Sequence, residues 1–322
     1  MFQKANLLFL YTETPLHVGS GSSLGTVDLP IQREHHTNLP MVQGSGIKGK
    51  LRSTFEANLS KLDEKEKPTA EKRIDAIFGG QDAKASDHAA ALSVGDARIL
   101  LFPVRALAGV FAWVTCPLVI NRLARDLQMT TGQTALSWNL ADLEVKGQQA
   151  YTPNNSSIKI GNDVVLEEFS FVVQTSNDEV QKFANWLADS VLPSGNEYKF
   201  WKDKIKQDLV IISDEAFKDF CQFSTDVVSR TKLDPATKTV AIGALWTEEN
   251  LPSDALLYAP LFACDPRMED KDKPKKKNDS TQNMDATEVL SLVSTHLQNG
   301  HSRLQLGGNE TVGRGLVATR FL

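Results

Sequence analysis

Residues 93–115 read SVGDARILLFPVRALAGVFAWVT. Two runs rich in β-branched and aromatic residues, 93–105 and 109–115, flank a short connection, which is the signature of a β-hairpin. Parallel neighbours need a crossover of a dozen or more residues, so these two strands are expected to run antiparallel. Upstream, residues 6–14 form an apolar, β-branched run that predicts a buried strand. The stretch QGSGIKGKLRSTFEANLSKL follows at 43–62, with Ser45 as a candidate N-cap. Ile47, Leu51, Phe55, Leu59 and Leu62 recur there at helical spacing and are expected to face the core. Downstream, Pro117 suits the first turn of a helix over 118–127. The order strand, helix, hairpin, helix, strand predicts an α+β chain with a ferredoxin-like core and large insertions.

The insertions are read more coarsely. Residues 17–25 are rich in glycine and serine, and 26–40 are polar without a period. Together they predict a long loop of the kind that usually carries function. Residues 63–72 suggest a surface turn or helix end, and 132–161 an irregular stretch. A strand is expected at 167–174 and helices at 178–191, 214–223 and 285–298. Two strand-like pieces at 225–244 surround Asp234-Pro235-Ala236-Thr237, a turn signature. The lysine- and aspartate-rich tract 270–282 is expected to be mobile and solvated. The C-terminus reads strand, glycine-rich loop, strand.

Composition narrows the function classes. The 322 residues are 41% hydrophobic and 23% charged, with a formal net charge of −5. That balance argues against broad, sequence-blind DNA binding while allowing a local basic groove. Cys116, Cys221 and Cys264 lack disulfide or zinc spacing, which favours a reduced, cytoplasmic setting. No stretch has the length of a membrane span.

Three groups of residues could carry chemistry. Lys48 and Arg52 lie four apart on the expected helix and share a face. With Gly44, Gly46 and Gly49 thinning the helix start, they read equally as a phosphate seat or as a solvated face. GGNETVGRG, Gly307 to Gly315, could bring backbone close to a phosphate, but alone it reads better as a turn between strands. Asp28 stands in the long loop among His17, Arg33, Glu34, His35 and His36. A carboxylate there could bind a divalent ion, orient a hydroxyl or accept a proton, with the histidines helping by general acid–base transfer, although a loop aspartate is most often an Asx turn or a carboxylate in water. The tryptophans are expected mainly in the core or at interfaces, with Trp246 the one to test for base stacking.

Four blocks in order along the chain resemble the RAMP-superfamily backbone subunits of Cmr (type III-B) CRISPR effector complexes. They are TPLHVGSGSSLGTVDLPIQREHHTNLPMVQGSGIKGKLR, GDARILLFPVRALAGVFAWVTCPLVINR, SRTKLDPATKTVAIGALWTEENLP and LQLGGNETVGRGLV. The resemblance implies a single RAMP domain over 1–322 with an RRM-like palm. The palm core would come from 1–130 and 285–322. The insertions would lie within 131–284, with a β-hairpin thumb at about 225–252. Copies would stack in a helical filament along the CRISPR RNA, beside other Cmr subunits, and cut complementary single-stranded target RNA at regular intervals. The cut would depend on a divalent metal, Mg2+ or Mn2+, with Asp28 as catalytic residue and metal ligand. His17 matches a histidine of the same motif. Ser45, Lys48 and Arg52 on the helix would bind guide RNA, as would Gly307, Gly308, Gly313, Arg314 and Gly315 in the loop. Trp246, Glu248 and Glu249 fall in the thumb block, near the expected cut. Two other readings share the superfamily: a non-catalytic filament subunit, and a guide-processing endoribonuclease acting alone.

Overall fold

The structure is a computed structural model that describes residues 2–80, 88–132, 136–175, 178–298 and 302–322. Strand β1 (Lys4–Thr12) and the short β2 (Met41–Val42) precede helix α1 (Gly44–Leu59). Helix α2 (Lys67–Phe78) packs back on α1. Strands β3 (Leu92–Val94), β4 (Ala97–Arg105) and β5 (Phe111–Thr115) lead into α3 (Pro117–Thr131). Four short strands, β6 (Gln149–Ala150), β7 (Lys159–Ile160), β8 (Asp163–Leu166) and β9 (Phe169–Val173), make a small separate sheet. Then come α4 (Asp178–Trp186), α5 (Lys199–Asp208), β10 (Leu209–Ile211) and α6 (Asp214–Phe223). Among the described residues, strands β11 (Asp226–Leu233) and β12 (Val240–Asn250) pair only with each other as extended strands. Strand β13 (Leu256–Ala263), helix α7 (Ala286–Gln298), and strands β14 (Arg303–Gln305) and β15 (Leu316–Phe321) complete the chain.

The hairpin forms as read: β4 and β5 are antiparallel, with Phe102 opposite Val114. Its place in the sheet differs from expectation. The main sheet runs β10-β5-β4-β13-β1-β15-β14, so β13 lies between β4 and β1. The strand at the centre therefore comes from 256–263, which the palm boundaries 1–130 and 285–322 leave out. The segment LLYAPLFA escaped the reading because both its faces are covered, so no alternation shows, and because Pro260 argues against a central strand. Pro260 is tolerated because β13 changes partner there. It pairs with β4 up to Tyr258 and with β3 from Leu261, and the Pro260 carbonyl accepts from Gly95 N–H at 2.8 Å across the gap.

Continuous burial along β1 and β13 means both sheet faces are packed. Phe9, Tyr258 and Arg98 are cross-strand neighbours on one face, and Asp126 of α3 reaches Arg98 at 2.7 Å and the Tyr258 hydroxyl at 3.0 Å. Helix α7 contacts β1 and β13 and stacks His296 on Phe55 of α1, ring centroids 3.9 Å apart.

Three further stretches take more definite form, and the tract 270–282 is largely exposed, in line with its solvated reading. Residues 63–72 contain the start of α2, whose Ile74, Ala76, Ile77 and Phe78 are buried. The tract 270–282 folds back on itself: Lys276 N–H donates to the Gln282 carbonyl at 3.0 Å, and the Lys276 ammonium pairs with Asp285 at 2.6 Å. Part of the stretch 132–161 forms β6 and β7, while its residues 133–135 lie outside the described residues. Trp113 and Trp138 are core residues, in line with the reading of the tryptophans.

Candidate functional site

Three segments far apart in sequence meet at the base of the β11–β12 hairpin. The first is the long loop after β1. It enters by mutual backbone bonds between Leu16 and Leu251, 2.8 and 2.9 Å. It then runs beside the last residues of β12, where Leu29 N–H donates to the Thr247 carbonyl and Glu249 N–H to the Leu29 carbonyl, both at 3.0 Å. The second is the end of β12 itself. The third is the loop between β14 and β15.

Asp28 is exposed at this junction, and its carboxylate is held on one side. Oδ2 accepts from the Thr247 N–H at 2.7 Å and from the Thr247 hydroxyl at 2.9 Å, while Asp28 N–H faces the same hydroxyl at 3.0 Å. Oδ1 has no hydrogen-bond partner among the described residues. The Thr247 backbone bond, then the Thr247 side-chain bond, hold the Asp28 carboxyl below the usual aspartate range. Asp28 is therefore an anion throughout the neutral range.

His17 lies beneath. It is buried, and its Nδ1 sits 2.6 Å from the Glu249 carbonyl oxygen. The glycine-rich loop wraps this histidine: Gly308 N–H donates to the His17 carbonyl at 2.9 Å. At Gly307 (φ +72°) a β-carbon would run into that carbonyl, and at Gly315 (φ +76°) into the Leu306 carbonyl. These two glycines thus have an internal cause, as the turn reading of the loop implied. Gly308 lies against the His17 ring, while nothing among the described residues lies within 4 Å of a β-carbon built at Gly313. Arg314 is half-buried near the end of the loop.

Glu248 and Glu249 are buried, and both are fully engaged. Glu248 accepts from Trp246 Nε1 at 2.9 Å, Arg230 at 3.1 Å and Asn309 at 2.9 Å. Burial raises its pKa, but Trp246, Arg230 and the nearby His17 outweigh burial and lower it. Glu249 accepts from Ile31 N–H at 3.0 Å, Thr225 at 2.8 Å and Arg33 at 2.5 Å. The two carboxylates lock loop, hairpin and glycine turn together; their oxygens face inward. Trp246 is half-buried, its ring nitrogen committed to Glu248.

The loop continues to α1, where Gln32 Oε1 accepts from Gln43 N–H at 2.9 Å. The helix begins two residues earlier than read. Gln43 is its N-cap and Ser45 lies exposed inside the first turn, so Ser45 does not cap. Gly44 instead donates its N–H to Asp96 at 2.8 Å, packed too closely on Val94 for any side chain. Lys48 is half-buried. Burial, then the neighbouring Arg52 cation, lower its pKa, and among the described residues no carboxylate offsets them. Arg52 turns inward, bonding Glu56 at 2.7 Å, Asp75 at 3.1 Å and the Gly79 carbonyl at 2.5 Å. Outside the helix's own backbone, nothing among the described residues lies within 4 Å of a β-carbon built at Gly46 or Gly49.

Thr247, Arg230 and Asn309 escaped the sequence reading. Thr247 and Asp28 are separated by 219 positions, and no periodicity links residues that meet only through strand pairing.

The chain matches the RAMP superfamily over residues 9–318. It is 41% identical to the "CRISPR system Cmr endoribonuclease Cmr4" of Pyrococcus furiosus over 98% of this chain and 94% of that protein. The crystal structure of oligomeric Cmr4 from Pyrococcus furiosus superposes with a TM-score of 0.70 and 33% identity, covering 99% of this chain and 98% of that one. A chain of the type III-B Cmr-beta complex bound to cognate target RNA has the same fold, with a TM-score of 0.70 and 21% identity, covering 99% and 98%.

Proposed function

The chain belongs to the RAMP superfamily, and from that premise we propose that it is the target-cleaving backbone subunit of a type III-B CRISPR effector complex. The sheet order β15-β1-β13-β4, with α1 after β1 and α7 after β13, fits a ferredoxin-like palm. The β11–β12 hairpin fits the thumb. It carries exposed Val227, Leu233, Val240 and Leu245, side chains suited to wedging between bases.

The two jobs fall on separate surfaces. The start of α1 binds guide RNA: Lys48 is a half-buried cation with no carboxylate offsetting it among the described residues, and the open sides of Gly46 and Gly49 leave room for a sugar–phosphate chain. Glycines inside a helix cost roughly 1 kcal/mol each relative to alanine, so two without internal packing point to an external occupant. The guide's bases choose the target while the protein reads backbone and shape. A net charge of −5 is then tolerable, because copies stacked along one guide act together.

Asp28 cuts the target. The single observation that carries this is its pose: on an exposed residue, one oxygen is tied to the thumb base and the other has no hydrogen-bond partner among the described residues. The oxygen that Thr247 does not hold is the one placed to orient a hydroxyl and to ligate a cation. It aligns the 2′-hydroxyl of the displaced target nucleotide; that hydroxyl gives its proton to solvent water, its oxygen bonds to the adjacent phosphorus, and the 5′-oxygen leaves and takes a proton from water. DNA lacks that hydroxyl and is spared.

Among the described residues, no group of three or more His, Cys, Asp and Glu side chains could cage a metal. The donor set fits Mg2+ or Mn2+ held through Asp28 alone, with RNA phosphate and water completing its shell. When bound, the ion supplies positive charge against that developing on the phosphate.

The test uses the assembled complex with guide, labelled target RNA and Mg2+. Asp28→Ala is expected to bind target normally and to lose cleavage at every interval by at least about 100-fold, with wild-type products ending in a 2′,3′-cyclic phosphate. Unchanged cleavage by the variant would remove Asp28 from the chemistry. Specific cleavage of precursor guide RNA by the isolated chain would replace the assignment with a guide-processing one.

A further inference from the structure

We infer that Thr247, on the thumb strand β12, is the positioning residue of the cleavage site. The inference rests on the assignment of Asp28 and asks what aims it. Asp28 lies in an exposed loop rich in glycine and serine, where a side chain samples several rotamers at little cost. Two donors from one residue, the N–H and hydroxyl of Thr247, converge on the same oxygen, Oδ2. The hydroxyl also takes the N–H of Asp28, and the Thr247 carbonyl takes the N–H of Leu29. Four bonds thus join one residue of the hairpin to two of the loop. They leave Oδ1 as the oxygen without a partner among the described residues.

The arrangement makes thumb and cutting group one unit. Thr247 sits opposite Ser229 in the β11–β12 pairing, directly before Glu248 and Glu249, whose carboxylates anchor the hairpin base. Wherever the hairpin seats on the guide–target duplex, Asp28 follows at a set offset. Cutting at a constant distance from each wedge then follows from hydrogen bonding within one copy. The hydroxyl is the part that can be removed alone. Valine keeps the shape and the backbone donor and lacks the hydroxyl; serine keeps the hydroxyl.

The experiment compares wild type, Thr247→Val, Thr247→Ser and Asp28→Ala in the assembled complex, and hydrogen exchange of the Asp28 loop in the isolated, metal-free chain. Thr247→Val is expected to assemble and bind target as wild type does. It should cleave about 10- to 100-fold more slowly, need more Mg2+ for half-maximal rate, and exchange faster across residues 24–32. Thr247→Ser is expected to restore rate, metal dependence and exchange protection. Wild-type cleavage and Mg2+ dependence in Thr247→Val would overturn the inference, as would an equal defect in Thr247→Ser or a rate loss that merely tracks lost assembly. If Asp28→Ala cleaves normally, the underlying assignment fails first; if it is dead while Thr247→Val is unaffected, only the positioning role fails.

Discussion

Lys48 and Arg52 carry the same charge one turn apart, and their surroundings divide them. Lys48 is a half-buried cation with no carboxylate to offset it among the described residues. An anion placed beside it relieves a desolvation already incurred in the free protein. Lys48→Ala should therefore weaken guide binding about equally for all guide sequences. The slope of log affinity against log salt should fall in magnitude by about one. A filter-binding titration of the assembled chain across salt concentrations measures it, and an unchanged slope would take Lys48 off the RNA surface. Spacing alone left both residues as candidates; burial and pairing separate them.

At the scale of elements, Arg52 is a clamp between helices. Its guanidinium joins α1, through Glu56, to α2 and its end, through Asp75 and the Gly79 carbonyl. Charge-assisted bonds of a shielded side chain are worth more than surface pairs. Arg52→Ala is expected to destabilise the chain by about 2 kcal/mol. Urea unfolding would show the loss, while the salt dependence of RNA binding should stay as in the wild type. The reverse pattern would return Arg52 to the guide-binding surface. Helix α1 itself was legible from Ile47, Leu51 and Phe55, because amphipathic period is a local property. Helix α2 was hidden by its polar first half: the residues from Lys67 to Arg73 look like a surface turn until Ile74, Ile77 and Phe78 are seen to pack.

Across the whole molecule, α3 is tied to the sheet by a buried polar cluster. Asp126 is 1% exposed and bonds Arg98, Tyr258 and Arg125. Beside this carboxylate, burial first and then the Asp126 charge push the Tyr258 hydroxyl well above the usual tyrosine range. Removing one partner of such a cluster strands the others, so Asp126→Ala should cost about 3–5 kcal/mol. Chemical denaturation of the isolated chain would register it as a large fall in midpoint. A change below about 1 kcal/mol would mean that water replaces the carboxylate.

The sequence by itself determined the α+β class, the β4–β5 hairpin, helices α1 and α3, the paired strands around 234–237, and the long loop bearing Asp28. Each of these follows from short-range causes: alternation, helical period, proline at a first turn, glycine and aspartate at bends. Its four motif blocks also pointed to the family. Tertiary structure alone decided that β13 lies at the sheet's centre, since a strand covered on both faces shows no period, and Pro260 is harmless only where its partner strand changes. It alone turned Arg52 inward and left Lys48 without an offsetting carboxylate among the described residues. It alone brought Thr247 to Asp28, because register between segments 219 positions apart is set by the packing of the whole sheet and the hairpin beside it.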